Sequence, residues 1–466
     1  MKKVFLIGNA HLDVVWLWRW QEGLAEIKAT FRSALDRMRE FDDFHFSCAA
    51  AGYYEWIENN EPEMFAEIKK RVTEGRWEIV GGMYVQPDCN IPCGESFVRH
   101  GLYSQRYFLD RFGVCAETGY NVDSFGHNGN LPQILKKCGM NQYVFMRPGP
   151  HEKTLPKDLF RWESQDGSQV LGYRIPFSYT TRGNDTEHIL KVLQLAQEDN
   201  MDRMAFYGVG NHGGGATIQA LNSIHQMDAF KSGDLLFAST ASYFDSVRDL
   251  EIPIVRDELQ YHGKGCYTAY TQIKMNNRQS EHMLLEAEKI CSFTHRILRD
   301  PYPAEKLLRG WKGVLFNQFH DILGGCCIKE ALEDAKLLHG EAMSIAARET
   351  NFAAQRISWR IDTLGGVLPD AEKGGVNATI WMQENVGTPV VLFNPLSKAV
   401  RVPIQLRTNI VSLRNWKGEA IAFQPVRSPR TSDKDQLDSL FMAEIPALGY
   451  TVYHMFLENS IPATQD

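Results

Sequence analysis

Along the first half of the chain, short continuous apolar runs alternate with longer stretches in which apolar residues recur every three or four positions. The runs Val4–Gly8, Phe44–Cys48, Trp77–Val80, Thr118–Val122, Tyr143–Met146, Val170–Arg174, Met204–Tyr207 and Leu235–Ala238 predict strands. Leu24–Phe41, Pro62–Glu74 and Glu187–Asp199 predict helices between them. Such alternation implies a parallel sheet with helices packed against it. Ligands of such sheets sit beyond the carboxyl ends of the strands.

From about residue 279 the spacing becomes helical throughout. Glu281–Leu298, Pro303–Asn317 and Ile328–Ile361 predict an antiparallel three-helix bundle, with turns at Asp300–Pro303 and Leu323–Gly325. Past Gly365 a linker containing Gly and Pro leads to alternating segments. Val390–Phe393, Val400–Leu406 and Tyr450–Phe456 read as antiparallel strands, and the polar Arg427–Leu440 as a mobile loop between them. The expected organisation is an α/β domain over 1–275, a three-helix bundle over 279–363 and an incomplete β domain over 376–466.

Composition narrows the class without naming a chemistry. With 466 residues, 44% apolar and 23% charged, the chain has the balance of a globular protein. A net charge of −7 gives no general affinity for nucleic acid or anionic membrane, so neither is expected as a partner. Met1-Lys2-Lys3 runs straight into Val4–Gly8, which reads as a first strand rather than a signal peptide. No apolar run is long enough to span a bilayer. The nine cysteines are odd in number and none form a C-x-x-C pair, the usage of a reducing compartment, so the cytoplasm is the expected location.

Four segments carry candidate chemistry. Asn9-Ala10-His11-Leu12-Asp13 follows the first strand; on extended backbone, side chains two apart share a side, so His11 and Asp13 can share one metal. Asp13 as a helix cap is the plainer reading. Asn121-Val122-Asp123-Ser124-Phe125-Gly126-His127 ends another strand and presents Asp123 at the ligand edge, or as a cap for the helix Leu131–Lys137. Gly208-Val209-Gly210-Asn211-His212-Gly213-Gly214-Gly215 lets backbone approach a ligand, though it lacks the Lys-Ser/Thr ending of a phosphate loop; a flexible linker is the alternative. Asn317-Gln318-Phe319-His320-Asp321 lies between two bundle helices and offers either a metal ligand or a cap with a solvated imidazole.

Together these segments resemble the family 38 glycoside hydrolases, the retaining α-mannosidases, in family order. The match rests on the His-x-Asp-x-x-Trp opening, the Asp-Ser-Phe-Gly-His strand end, the glycine-rich turn and Gln-Phe-His-Asp. Glu74-Gly75-Arg76-Trp77-Glu78, Gly81-Gly82-Met83, Pro87-Asp88-Cys89-Asn90, Gly94-Glu95-Ser96 and Phe393-Asn394-Pro395-Leu396 look like the bacterial branch. The resemblance implies a parallel β/α catalytic domain, then the bundle and the start of a β-sandwich. It implies one zinc ion per chain held by His11, Asp13, Asp123 and His320. In the family the metal binds the 2- and 3-hydroxyls of mannose, which are cis in the manno configuration. Asp123 matches the nucleophile that forms a covalent mannosyl-enzyme, resolved by water with net retention. Trp16, Phe125, Arg147 and Asp321 match contacts to the sugar, with a core role the alternative for Phe125. The implied partner is a mannosylated oligosaccharide or glycoside; the oligomeric state is left open, a homo-oligomer included.

The sequence departs from the family in two places. Where many relatives carry an acidic Asp in the glycine-rich turn, this chain has Asn211, which cannot act as a proton donor in that way. His212 is the first substitute for the acid/base and Asp257 and Glu258 are the others. Family members also continue for several hundred residues of β-sandwich, whereas this chain stops after roughly one small sheet's worth, so its β domain is expected to be incomplete. Two other classes stay open: a zinc hydrolase of polysaccharide-deacetylase type, and a mannose-binding protein with impaired catalysis.

Overall fold

The computed structural model describes residues 2–182, 186–363, 387–430 and 436–457. The linker expected after Gly365 begins outside the described residues. Two compact units divide the chain, Met1–His282 with Leu308–Ser344, and Met283–Leu307 with Ile345–Asp466.

In the first unit, Val4–Gly8 is buried along its whole length and lies between Arg203–Tyr207 and Leu235–Phe237, parallel to both. A strand buried on both faces needs an unbroken apolar run, which is what its sequence supplies. Phe46–Cys48 pairs in parallel with Trp77–Ile79. A five-stranded sheet runs in the order Ile254–Val255, Leu159–Glu163, Gln169–Arg174, Gln142–Phe145, Thr118–Tyr120. It departs from the all-parallel expectation at one hairpin. Leu159–Glu163, absent from the sequence reading, runs antiparallel to Gln169–Arg174 across a tight turn closed by Ser164 N–H to Ser168 O at 3.0 Å. Trp20–Glu40 and Pro62–Thr73 realise two expected helices; Ala51–Asn60, Gly94–Phe112 and Ile218–Gln226 are further ones. Phe31, Phe46, Tyr54 and Trp77 interlock in the core that the first two helices cover.

The helical part follows the expected order as Thr271–Leu298, Ala304–Asn317 and Lys329–Ser358. The expected turn at Leu323–Gly325 is instead the end of a one-turn helix, His320–Gly324, closed by Gly325 in the left-handed region (φ +73°). In the second unit, Ile290, Cys291 and Ala353 form a small core, and Lys306 pairs with Glu349 at 3.0 Å. Two antiparallel three-stranded sheets complete that unit, Thr388–Asn394 with Gly449–Phe456 and Ser412–Asn415, and Val400–Leu406 with Leu437–Ile445 and Phe423–Arg427. They share a core of Leu413, Phe441, Ala443, Ile445 and Tyr453, a sandwich arrangement. The loop expected over Arg427–Leu440 is shorter: Leu437 already belongs to a strand, and 431–435 lie outside the described residues. All nine cysteines are free thiols. Among the described residues no helix is long and apolar enough to cross a membrane.

Three histidines of the first unit are buried and uncharged. Burial pushes His100 and His127 down to about 3 and His339 down to about 4. In the unfolded chain each takes up a proton near its ordinary pKa of about 6.5. Below that pH the unfolded state binds more protons, so stability falls as pH drops from about 6.5 towards the folded values. Each histidine contributes a slope of at most about 1.4 kcal/mol per pH unit. Urea midpoints measured from pH 7 to pH 5 are therefore expected to decline steadily, and a flat profile across that window would contradict the burial of these imidazoles.

Candidate active site

The site is built at the carboxyl ends of the parallel strands. His11 and Asp13 follow Val4–Gly8, Asp123 follows Thr118–Tyr120, and Arg147 follows Gln142–Phe145. The glycine turn after Arg203–Tyr207 zips onto the first of these segments. Asn211 N–H donates to His11 O at 2.6 Å and Asp13 N–H donates to Asn211 O at 2.9 Å. This approach needs glycine, because a Cβ on Gly208 would stand 1.9 Å from Asn9 O.

His320 starts the one-turn helix that ends the bundle's second segment. Its Nδ1 lies 2.9 Å from Gln86 O. A carbonyl only accepts, so Nδ1 carries the proton and Nε2 keeps its lone pair. That Nε2 stands 3.7 Å from Asp13 Oδ1 and 3.8 Å from Asp123 Oδ2. His11 Nε2 is 2.8 Å from Asp13 Oδ1 and 3.7 Å from Asp123 Oδ2. One ligand atom from each of His11, Asp13, Asp123 and His320 lies within 4.8 Å of the others, so the four could hold a metal ion.

The state of these atoms fits that role. His320 Nε2 is buried without a hydrogen-bond partner, and His11 Nε2 and Asp13 Oδ1, 2.8 Å apart, are buried with none beyond each other. Buried polar atoms are rarely left so, and a cation in their midst would satisfy all three. Burial pushes Asp123 up, but His11, His320 and Arg147 outweigh it and hold its carboxyl below the usual range. Burial pushes His11 down, and Asp13 and Asp123 reverse this, so its pKa lies above the ordinary value. Asp321, whose Oδ2 is 3.7 Å from His320 Nε2, is pushed up to about 6 by burial and by the neighbouring carboxylates, with His320 opposing.

Other expected site residues are distributed around this cluster. Arg147 Nε donates to Asp123 Oδ1. The Phe125 ring stands edge-on to His320 at 5.6 Å between centroids. Trp16 and His212 do not share such contacts with the cluster; each packs against Trp18, at 5.8 Å and 4.3 Å, and Trp18 Nε1 donates to Asp13 O at 2.8 Å. His212 is half exposed, with Nε2 at 2.8 Å from Glu22 Oε1. Asp257 is tied to Lys153 at 2.7 Å, which holds it below its usual pKa and makes it a poor proton donor.

Sequence reasoning missed several residues that shape the site. Tyr179 stacks edge-on to His11 at 5.1 Å and donates to Asn211 Oδ1 at 3.3 Å. Asp88 is fully buried, accepts from the Asn90 and Ile91 amides at 2.9 and 2.7 Å, and is pushed up in pKa by its burial. Asp88 lies in Pro87-Asp88-Cys89-Asn90, a stretch whose only signal was its likeness to relatives, and Gln86 just before it gave none. Tyr179 and Trp18 gave no signal, since an isolated aromatic looks the same in a core.

The sequence matches the glycosyl hydrolases family 38 N-terminal domain over residues 1–264 and the alpha mannosidase middle domain over 260–357. It is 32% identical to alpha-mannosidase 2C1 of Homo sapiens over 340 residues, which is 70% of this chain and 32% of that protein. It is 28% identical to the alpha-mannosidase of Saccharomyces cerevisiae over 352 residues, 71% of this chain and 32% of that one. The chain thus spans about a third of the length of these curated relatives. Among solved structures, an alpha-mannosidase from Enterococcus faecalis V583 shares the fold, with TM-score 0.77 at 18% identity over 98% of this chain and 56% of that one.

Proposed function

Since the chain belongs to glycoside hydrolase family 38, we propose that it is the catalytic part of a zinc-dependent retaining exo-α-mannosidase acting on mannosylated glycans or glycosides. The observation that carries this reading is the convergence of His11, Asp13, Asp123 and His320, with three of their ligand atoms buried and otherwise unpartnered. Two imidazoles and two carboxylates suit zinc, whose nitrogen and oxygen ligands at about 2.0–2.2 Å stand roughly 3–3.5 Å apart. The histidine-to-carboxylate separations in the cluster run from 2.8 to 3.8 Å, and all four ligand atoms lie within 4.8 Å of one another. Zinc bound there would supply Lewis-acid contact to the cis 2- and 3-hydroxyls of mannose and so favour the manno configuration.

Asp123 is the nucleophile in this reading. It is kept ionised by its neighbours, and Arg147 holds one of its oxygens, so the carboxylate has a fixed plane from which to attack the anomeric carbon. Bond formation to C1 expels the leaving oxygen, and water then cleaves the mannosyl ester with net retention. Trp16, Phe125 and Asp321 form the walls and polar contacts of the sugar site. We assign the acid/base to His212, oriented by Glu22 and by its edge-type contact with Trp18, because Asn211 cannot donate a proton as an acid. The catalytic unit would combine 1–275 with the bundle segment that carries His320, which falls in the same compact unit. Cytoplasmic residence belongs to the same proposal.

Product analysis on an aryl α-mannoside tests the reading: mannose released first as the α-anomer supports it. A metal-dependent release of acetate from an acetylated sugar, with no mannose, would replace it with deacetylase chemistry. Asn211 favours one further reading, a mannose binder with little turnover, and a specific variant separates the two. His212→Ala is expected to lower hydrolysis of a mannobiose by on the order of 10²-fold, while an aryl mannoside with a good leaving group changes only a few-fold. An equal loss on both substrates removes the acid assignment. Mannose binding without turnover of even the aryl substrate supports the binder.

A further inference from the structure

Behind Arg147 lies a chain of side chains that the proposed reaction does not use. Arg147 Nε donates to Asp123 Oδ1, and the NH1 of the same guanidinium lies 2.9 Å from His262 Nε2. His262 Nδ1 lies 2.6 Å from Glu152 Oε1. The other oxygen of Glu152 accepts from the Gly149 amide at 2.8 Å. The Arg147 carbonyl is pinned too: His127 Nε2 stands 2.9 Å from it, and Tyr143 lies 2.8 Å from His127 Nδ1.

The proton positions along this line follow from what each group can do. A guanidinium only donates, so His262 Nε2 must offer its lone pair to Arg147. The ring then carries its single proton on Nδ1 and donates it to the Glu152 carboxylate. Burial pushes Glu152 up, but the Gly149 amide and His262 outweigh it and hold it below the usual range, so the acceptor is ionised. Glu152 therefore selects the His262 tautomer that can receive Arg147. His262 is distant from Asp123 in sequence, and its ring also packs at 5.7 Å from Phe125.

We infer that Glu152 and His262 are positioning residues that lock the Arg147 guanidinium and thereby the plane of the Asp123 carboxylate. The inference rests on the assignment of Asp123 as nucleophile. Arg147 has two planar anchors, Asp123 on one edge and His262 on another. With both in place its guanidinium cannot turn about its own stem, and Asp123 Oδ1 keeps one direction while Oδ2 faces His11 and His320. Without His262 the NH1 group loses its acceptor, and only Asp123 and Tyr179 still hold the guanidinium, which loosens its plane. A loosened nucleophile costs turnover rather than ground-state binding of the sugar, because the attack geometry matters only on the way to the transition state.

Three variants of the metal-loaded full chain, with p-nitrophenyl α-mannoside as the probe, test this. His262→Leu removes the acceptor and is expected to lower kcat by about 10- to 100-fold with KM and bound zinc unchanged. His262→Gln can place its amide oxygen near the vacated Nε2 and is expected to recover most of the loss. Glu152→Gln has only one accepting oxygen for the His262 and Gly149 donors, so it is expected to fall between the two. A kcat for His262→Leu within twofold of wild type, or the same loss in His262→Gln, overturns the inference. So does a loss that appears in KM or in bound zinc instead of kcat. A second readout needs no activity: selective 15N labelling of histidine in the wild type should show one imidazole in the Nδ1–H neutral form that changes in Glu152→Gln. Its absence overturns the relay itself. A wild type that releases no mannose overturns the mannosidase reading instead, and the imidazole spectrum keeps the two failures apart.

Discussion

In the Asp123→Ala variant, turnover of an aryl α-mannoside is expected to fall by at least about 10⁴-fold, and bound metal to fall with it. Both losses follow from one side chain with two tasks. Oδ2 of Asp123 faces His11 and His320 at 3.7 and 3.8 Å, while Oδ1 receives Arg147. Removing the carboxylate therefore takes away the attacking group and one of four ligands at once. It also leaves the half-buried Arg147 without its anion, which adds a stability loss that a melting curve will register. The two tasks can be separated with Asp123→Asn, which keeps a neutral oxygen for the metal but cannot attack. Azide added to Asp123→Ala with zinc in excess should occupy the vacated face and yield the β-mannosyl azide, inverted at C1, from an activated substrate. Turnover of Asp123→Ala within a hundredfold of wild type would remove Asp123 from the nucleophile's place.

Stripping the metal is expected to abolish activity, and zinc to restore it. His320→Ala should retain too little metal after dialysis for more than residual turnover. The one-turn helix His320–Gly324 presents this imidazole with its proton already committed to Gln86 O, so its Nε2 has no other use than the cluster. Burial, with Asp13 and Asp123 adding to it, pushes Asp321 up to about 6, and a cation among these carboxylates would offset their mutual repulsion. The metal-free chain is accordingly expected to melt lower than the loaded one, because a ligand that binds only the folded state adds stability. Metal content is read by elemental analysis after exhaustive dialysis and the midpoint by calorimetry. A His320→Ala variant with full zinc and a normal rate would break the proposed constellation.

Much of the α/β unit was legible because its strands are buried on both faces and its helices on one. A run such as Val4–Gly8 can satisfy such burial only as a strand, and Pro62–Thr73 shows helical spacing behind a starting proline. Leu159–Glu163 escaped notice because Arg161 and Glu163 interrupt its apolar run, and its partner strand supplies the missing pattern. Ser412–Asn415 and Phe423–Arg427 are short, half-exposed strands with no clear period, so only pairing defines them.

The sequence by itself determined that His11 and Asp13 can share a metal, since a histidine and an aspartate two apart on extended backbone share a side wherever the segment ends up; that Asp123 and His320 join them was implied by the resemblance to family 38. It also determined that the glycine-rich turn carries an asparagine, Asn211, and no carboxylic acid, because that is a matter of residue identity. Tertiary structure alone decided that His320, some 300 residues from His11, reaches the same point. It alone gave His212 the partners Glu22 and Trp18, and it alone joined Glu152 and His262 behind Arg147. The reason is one of range. Periodicity and spacing report what neighbours along the chain can do together, whereas a hydrogen bond between distant segments depends on how the whole core packs, and no local pattern records it.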